Sequence, residues 1–222
     1  MEGTDASYFV LTRLRMRQFH PDRFGSVFGK LEQNKDCLQR SRHHSRYAIF
    51  HDLDERIVPT GKDTVRSLIQ ETMESNNTLA MIAFASQRID VTVPAPLEYQ
   101  GTATLEHHLP TRVFHKAKNR IWAGMHPKCA IDPRRVLIMW VHHVEAYFPG
   151  YTGYNVAVEK AIMRHYRDLT RDSLIRRLRH VVKWYKYVDI NYPATLMPIL
   201  YRNVETTLDK VYSSIKSKHM RS

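Results

Sequence analysis

The sequence predicts a mixed α/β fold, on three observations. Apolar runs of strand length, Tyr47–Phe50 and Leu79–Ala85, alternate with segments of helical period. Turn signals at Pro59 and Gly61 separate them. Over 222 residues, 43% are hydrophobic and 25% charged, enough apolar material for a packed core and too little charge bias for general disorder. That length suits one ordinary domain, or one large and one small, at about 100–200 residues each.

Residues 1–30 show no sustained period and read as an atypical N-terminal segment. Leu31 to His44, LEQNKDCLQRSRHH, reads as a helix with few apolar anchors. It leads into the strand Tyr47–Phe50, whose end carries Asp52, Asp54 and Glu55, and Ile57–Gly61 reads as the turn that closes it. Asp63 or Thr64 can cap a helix of about Val65 to Ser75, where Val65, Leu68, Ile69 and Met73 share a face. Leu79–Ala85 reads as a buried strand, and Ile89–Val93 alternates like a half-buried one until Pro94 and Pro96 stop it. Loops and short strands are expected from Pro94 to Pro127. Val136–Val141 reads as a third buried strand that delivers His142 and His143, and YFPGYTGY, residues 147–154, as a mobile loop. The strongest helical period runs from about Thr170 to Val188, and a last helix spans roughly Pro198 to Lys216, with a basic tail.

The net charge of +12 and pI near 9.8 invite a nucleic-acid reading. From Arg164 to Ser222, thirteen Lys and Arg stand against five Asp and Glu, a surplus of eight. That surplus follows the outer faces of two amphipathic helices, and no RNP, KH, C2H2 or basic-zipper pattern accompanies it, which disfavours nucleic acid as partner. Two cysteines are too few for a disulfide framework or a structural zinc site. No apolar run approaches the roughly 20 residues that cross a bilayer. The first residues put acids before apolar side chains and Arg after them, the reverse of a secretory signal. No span, signal or anchor is therefore expected in this chain.

The acid cluster is the most informative feature. It follows a buried strand, where open α/β sheets bind ligands. Residues i and i+2 of a strand point the same way, so Asp52 and Asp54 can present two carboxylates to one point. Such oxygen pairs suit a hard divalent cation carrying phosphate. Two chemistries compete for the pattern. In a haloacid-dehalogenase-like phosphatase the first Asp would be the nucleophile and the second the acid/base. Arg56 stands where that signature has Thr, and no downstream G-D-x-x-x-D follows. In a nucleotide-sugar glycosyltransferase the same acids would hold the metal that bridges the diphosphate.

The run Asn34-Lys35-Asp36-Cys37-Leu38, a spacer, then Phe50-His51-Asp52-Leu53-Asp54-Glu55-Arg56-Ile57-Val58-Pro59 resembles the N-D-C-L … F-x-D-x-D-E-F-I-x-P block of glycosyltransferase family 92. Lys128–Val136, Val141-His142 and His165-Tyr166-Arg167 resemble that family's K-x-I-x-P-x-x-V, V-H and H-Y-R series in the same order. The likeness covers about Leu31 to Tyr185, and nematode-type members look most similar. The resemblance implies a GT-A-like fold with C-terminal helices, a family 92-like catalytic domain over 31–190, and a D-x-D site for Mn2+ or Mg2+. It also implies inverting transfer of a sugar, galactose from UDP-galactose being the best-known case, to a glycan acceptor in the Golgi or secretory membranes. Asp52 and Asp54 match the metal motif, with Glu55 beside them, and His142 or His165 could complete the metal shell. Arg164 and Arg167 could grip phosphate, the alternative being a solvated helix start. An inverting transfer needs a general base; Glu145, Asp90 and Glu106 are candidates by position, with Glu145 preferred. Tyr147, Phe148, Tyr151 and Tyr154 could form an acceptor platform or lid.

Three features depart from the family pattern. Its members carry, ahead of the N-D-C-L block, a long stretch that builds the first strands of the nucleotide-binding half. This chain has 33 residues before Asn34, so the GT-A half is expected to be incomplete at its N-terminal end. The alternative reading that follows is a truncated, inactive relative acting at most as a binding protein. The membrane anchor usual in the family is not expected among these residues, and Arg56 replaces an apolar or aromatic residue, which could alter the charge near the metal.

Overall fold

The computed structural model describes residues 9–11, 23–61, 64–94, 96, 98–122, 126–168 and 186–219. In chain order these form β1 (Phe9–Leu11), α1 (Arg23–His44), β2 (Tyr47–Phe50), β3 (Glu55–Pro59), α2 (Val65–Glu74), β4 (Leu79–Phe84) and β5 (Ser86–Val91). There follow α3 (Thr102–His108), α4 (Pro110–Val113), β6 (Lys116–Trp122), β7 (Lys128–Ile131), β8 (Val136–Met139), β9 (Val144–Tyr147), β10 (Thr152–Asn155), β11 (Ala161–Asp168), β12 (Tyr187–Asp189) and α5 (Met197–His219). The chain divides into two compact units, one of residues up to 87 with 121–165, the other of 88–120 with residues from 166 onward.

Unit 1 is built on a five-stranded sheet of order β1-β2-β7-β4-β10. β1 runs parallel to β2 and β10 parallel to β4, while β7 lies antiparallel between β2 and β4. All residues of β2, β4 and β7 are buried, which explains why β2 and β4 read as continuous apolar runs instead of alternating ones. Successive side chains point to opposite faces. Tyr47, Ile49, Ile82 and Phe84 pack with Leu68, Ile69 and Met73 of α2, while Ala48, Phe50, Met81 and Ala83 pack with Leu38 of α1. A helix layer thus covers each face. Thr64 starts α2 with a reciprocal cap: its hydroxyl accepts the Ser67 N–H, and the Ser67 hydroxyl accepts its own N–H.

Between β9 and β10 the chain turns at Phe148-Pro149-Gly150-Tyr151, with the Tyr151 N–H on the Phe148 carbonyl at 3.2 Å and Gly150 at φ +85°. Pro at the second position and a positive-φ Gly at the third are the demands of a type II turn. Gly153 follows for a different reason. A methyl group there would sit 2.5 Å from both Met81 Cε and Tyr147 Oη. Gly153→Ala is accordingly expected to lower stability by about 1–3 kcal/mol through overpacking, read as an earlier midpoint in urea denaturation.

In unit 2, β12 pairs antiparallel with β6, Val188 opposite Ala117. Ile89, Ala117 and Tyr166 make its small core, with Val91, Phe114, Val188 and Ile190 against it. α5 is tied to the α3 region by Tyr99, whose hydroxyl donates to Asp209 at 2.9 Å and whose ring stacks on Tyr212 at 4.8 Å.

Several expectations need correction. α1 begins at Arg23, earlier than Leu31. Ile57–Gly61 is not a turn: Glu55–Pro59 is a strand. The stretch from Pro94 to Pro127 holds two helices and the seven-residue strand β6. β8 ends at Met139 and is not a buried strand, since Leu137 and Ile138 are exposed on a two-stranded hairpin with β9. Residues 147–154 are not one loop, because all but the turn belong to β9 and β10. Arg164 and Arg167 lie within strand β11, not at a helix start. Of the helix expected over 170–188, residues 170–185 lie outside the described residues, and Tyr187 and Val188 are strand. The last helix is found as expected, extended to His219. Among the described residues no helix is long and apolar enough to cross a membrane.

Candidate functional site

β2 ends at Phe50, which stands opposite Cys129 of antiparallel β7. The carboxyl end of β2 therefore meets the amino end of β7, where Lys128 is the first residue. Its ammonium lies 3.1 Å from Asp52 Oδ2 and 3.4 Å from Glu55 Oε2. The side chains of Lys128 and Glu55 are 2% exposed and that of Asp52 26%. Charges so deeply buried persist only when paired and hydrogen-bonded, and Glu55 Oε2 also accepts the Asp52 N–H at 2.7 Å.

The acids do not lie along the strand, so the same-face argument for Asp52 and Asp54 fails. Leu53 and Asp54 form a tight turn closed by the Glu55 N–H on the Asp52 carbonyl at 3.2 Å. His51 Nδ1 sits 2.7 Å from that same carbonyl; a carbonyl only accepts, so this ring nitrogen is the donor. Arg56 Nη1 donates to the carbonyls of Leu53 and Glu55, both at 2.7 Å. The residue that departs from the family pattern thus braces the backbone of the turn.

β3 and β11 are antiparallel, with Glu55 opposite His165. That register brings His165 Nε2 to 3.1 Å from Asp54 Oδ2, across 111 positions of sequence, and His165 Nδ1 to 3.9 Å from Glu55 Oε1. His165 is thus joined to Asp54 and Glu55. His142 has other neighbours: its carbonyl accepts the Cys129 thiol at 3.3 Å, and its ring meets that of His126 edge-on at 4.8 Å. Burial pushes the Cys129 thiol up to about 12, in keeping with the hydrogen bond that it donates.

Three carboxylates against the Lys128 ammonium and the Arg56 guanidinium leave one formal negative charge at the turn. A hard divalent cation that carries phosphate takes one or two protein carboxylates and completes its shell from substrate and water. Asp54 and His165 offer such a cation one carboxylate oxygen and one ring nitrogen, which lie 3.1 Å apart in their own hydrogen bond. Among the described residues no three His, Cys, Asp or Glu side chains form a larger group able to hold a metal.

The other expected site residues sit as follows. Glu145 is exposed on β9, its carboxylate 3.1 Å from His143 Nε2. Arg164 is buried in β11 opposite Arg56, and Arg167 is exposed. Glu106 is exposed on α3. Asp90, in unit 2, is enclosed by donors: Arg88 Nε at 2.7 Å, the Tyr187 hydroxyl at 2.5 Å and Lys118 Nζ at 3.8 Å. Burial and the bond to Asp90 push the Tyr187 hydroxyl up to about 12, and burial pulls the Lys118 ammonium down. Tyr147 packs against the α1-side core, while Tyr151 and Tyr154 are exposed and Arg135 lies over the Tyr151 ring at 5.1 Å.

Two of the family-like sequence blocks are partly structural. Asn34 is buried on α1 and donates to the Trp140 carbonyl at 3.1 Å, docking the helix. Asp132 is buried and pairs with Arg134 and Arg135, which stabilises the turn from β7 to β8. The residue that sequence reasoning missed is Lys128. It stood in one of those blocks, but nothing local marked it as the partner of acids 76 residues away.

The family model described as Glycosyltransferase family 92 matches residues 10–212. No curated protein matches the chain.

Proposed function

The chain belongs to glycosyltransferase family 92, and on that premise we propose that it moves a sugar from a nucleoside-diphosphate donor to a glycan hydroxyl with inversion and with the help of a divalent cation. UDP-galactose is the first donor to test, Mn2+ the first cation, and the secretory pathway the expected setting. The observation that supports this reading is the Asp54–His165 donor pair, beside Asp52, at the carboxyl end of β2. Asp54 and His165 would hold the cation. When bound, it supplies positive charge against the diphosphate as the sugar departs. Asp52 and Asp54 carry the formal negative charge that draws the cation, and the braced turn keeps them from reorganising during transfer.

Thermal melting with Mn2+ and UDP, singly and together, tests the reading. A ligand that binds only the folded chain raises the melting temperature, by about 2.7 kcal/mol of stability at a hundred times its dissociation constant. A UDP shift that requires Mn2+ and disappears in Asp52→Asn/Asp54→Asn is the expected result. A melt indifferent to both ligands would instead favour a relative that has kept the motifs without the activity.

We assign the base to Glu145, because it is exposed and its partner His143 can pass a proton on to water. Glu145→Gln should lower kcat by about 10²–10⁴-fold while leaving the Mn2+-dependent UDP shift intact. A variant with unchanged kcat would remove Glu145 from this role.

A further inference from the structure

We infer that Lys128 is a positioning residue for the acidic turn: its ammonium holds the Asp52 carboxylate in the orientation that a cation-bearing diphosphate needs. The inference rests on the metal-dependent reading above and goes beyond it, since it assigns a role to a residue at which no ligand is required to bind.

The geometry gives Lys128 two tasks that can be separated. The first is to neutralise Glu55, which is buried with it. The second is to fix Asp52. That carboxylate is 26% exposed, accepts a hydrogen bond from Lys128 Nζ at 3.1 Å and stands two residues beyond the end of β2. A carboxylate with one face toward water and one oxygen tied to a buried ammonium has lost most of its rotational freedom before any ligand arrives. Preorganisation of this kind keeps the charge of a carboxylate at a fixed place beside the Asp54–His165 pair, and loss of such supporting partners typically costs 10–100-fold in metal affinity. The backbone around Lys128 is equally constrained. It lies opposite Phe84 of β4 and next to Cys129, which faces both Phe50 and Ala83. The ammonium therefore starts from the interior of the sheet, a firmer base than a loop.

Removing the ammonium alone would also strand the Glu55 charge, so the test is made in a Glu55→Gln background, where that charge is absent. Four full-length chains are compared: Glu55→Gln, Glu55→Gln/Lys128→Met, Glu55→Gln/Asp52→Asn, and the triple variant. Bound Mn2+ is read from its electron paramagnetic resonance signal with and without UDP, and folding from circular dichroism. Lys128→Met should weaken UDP-dependent Mn2+ binding by about 10–100-fold in a folded chain. Asp52→Asn should weaken it as well, and the triple variant should be no worse than the poorer of the two, because both changes remove one interaction. Equal Mn2+ binding by Glu55→Gln and Glu55→Gln/Lys128→Met, with Asp52→Asn still costing its full effect, would reduce Lys128 to a structural counter-ion and overturn the inference. Absence of UDP-dependent Mn2+ binding in the unmodified chain would overturn the underlying reading along with it.

Discussion

Lys128→Met, made alone, is expected to cost roughly 3–5 kcal/mol of stability, the largest effect of any single substitution at the site. Methionine matches the length and apolar stem of lysine, so lost packing contributes little. The cost arises because Glu55, 2% exposed, keeps its charge and loses the ammonium at 3.4 Å, while Asp52 loses its partner at 3.1 Å. The Asp52 N–H and the His165 ring nitrogen 3.9 Å away are too little compensation for a buried carboxylate. Native domains have only about 5–15 kcal/mol in hand, so the variant is expected to melt far earlier or to accumulate unfolded. Adding Glu55→Gln should recover most of the loss, since the glutamine carbonyl can still accept the Asp52 N–H and no charge is left buried alone. Urea denaturation of the two variants decides the matter: equal midpoints would mean that the Glu55 charge is not what Lys128 compensates.

The second large effect concerns activity. Asp54→Asn and His165→Ala are each expected to abolish the Mn2+-dependent UDP shift and to lower transfer by about a thousandfold, as the loss of several kcal/mol of transition-state charge stabilisation requires. Stability should hardly move, since the Asp54 side chain is 44% exposed and that of His165 25%, and pairs so open to water contribute little to folding. Opposite signatures are thus expected on the two sides of one turn: stability without Lys128 collapses, and ligand binding without Asp54 or His165 collapses. Transfer retained in either of the latter variants would dissociate the donor pair from the reaction.

The elements legible in the sequence were those whose signal is local. β2, α2, β4 and α5 declare themselves by an apolar run or a helical period, because their environments are apolar over a whole face. β3, β7 and β11 do not. Each buries charged residues, Glu55, Lys128 and Arg164 respectively, and a buried charge looks in sequence like a solvated one. The same masking hid one member of the site. The acids announced themselves by crowding and His165 by its motif, but Lys128 is identifiable only through the register of β7 against β2. The glycines at 150 and 153 suggested looseness, yet one satisfies a turn and the other a close approach.

The partition of unit 1 bears on how the protein is made. The acids belong to its first stretch of chain, which leaves the unit at residue 87, and Lys128 and His165 belong to the stretch that returns at 121. At a synthesis rate of about 5–20 residues per second, the counter-ion emerges some 4–15 seconds after the acids, and His165 later still. During that interval β2 and β4 lack the strand that separates them, and Glu55 has no cation to bury against. The acidic turn therefore cannot be an early nucleus. Its closure is a late event in biogenesis, and a nascent chain stalled before residue 128 should leave Glu55 open to carboxylate-directed labels that it resists in the finished molecule, where its side chain is 2% exposed.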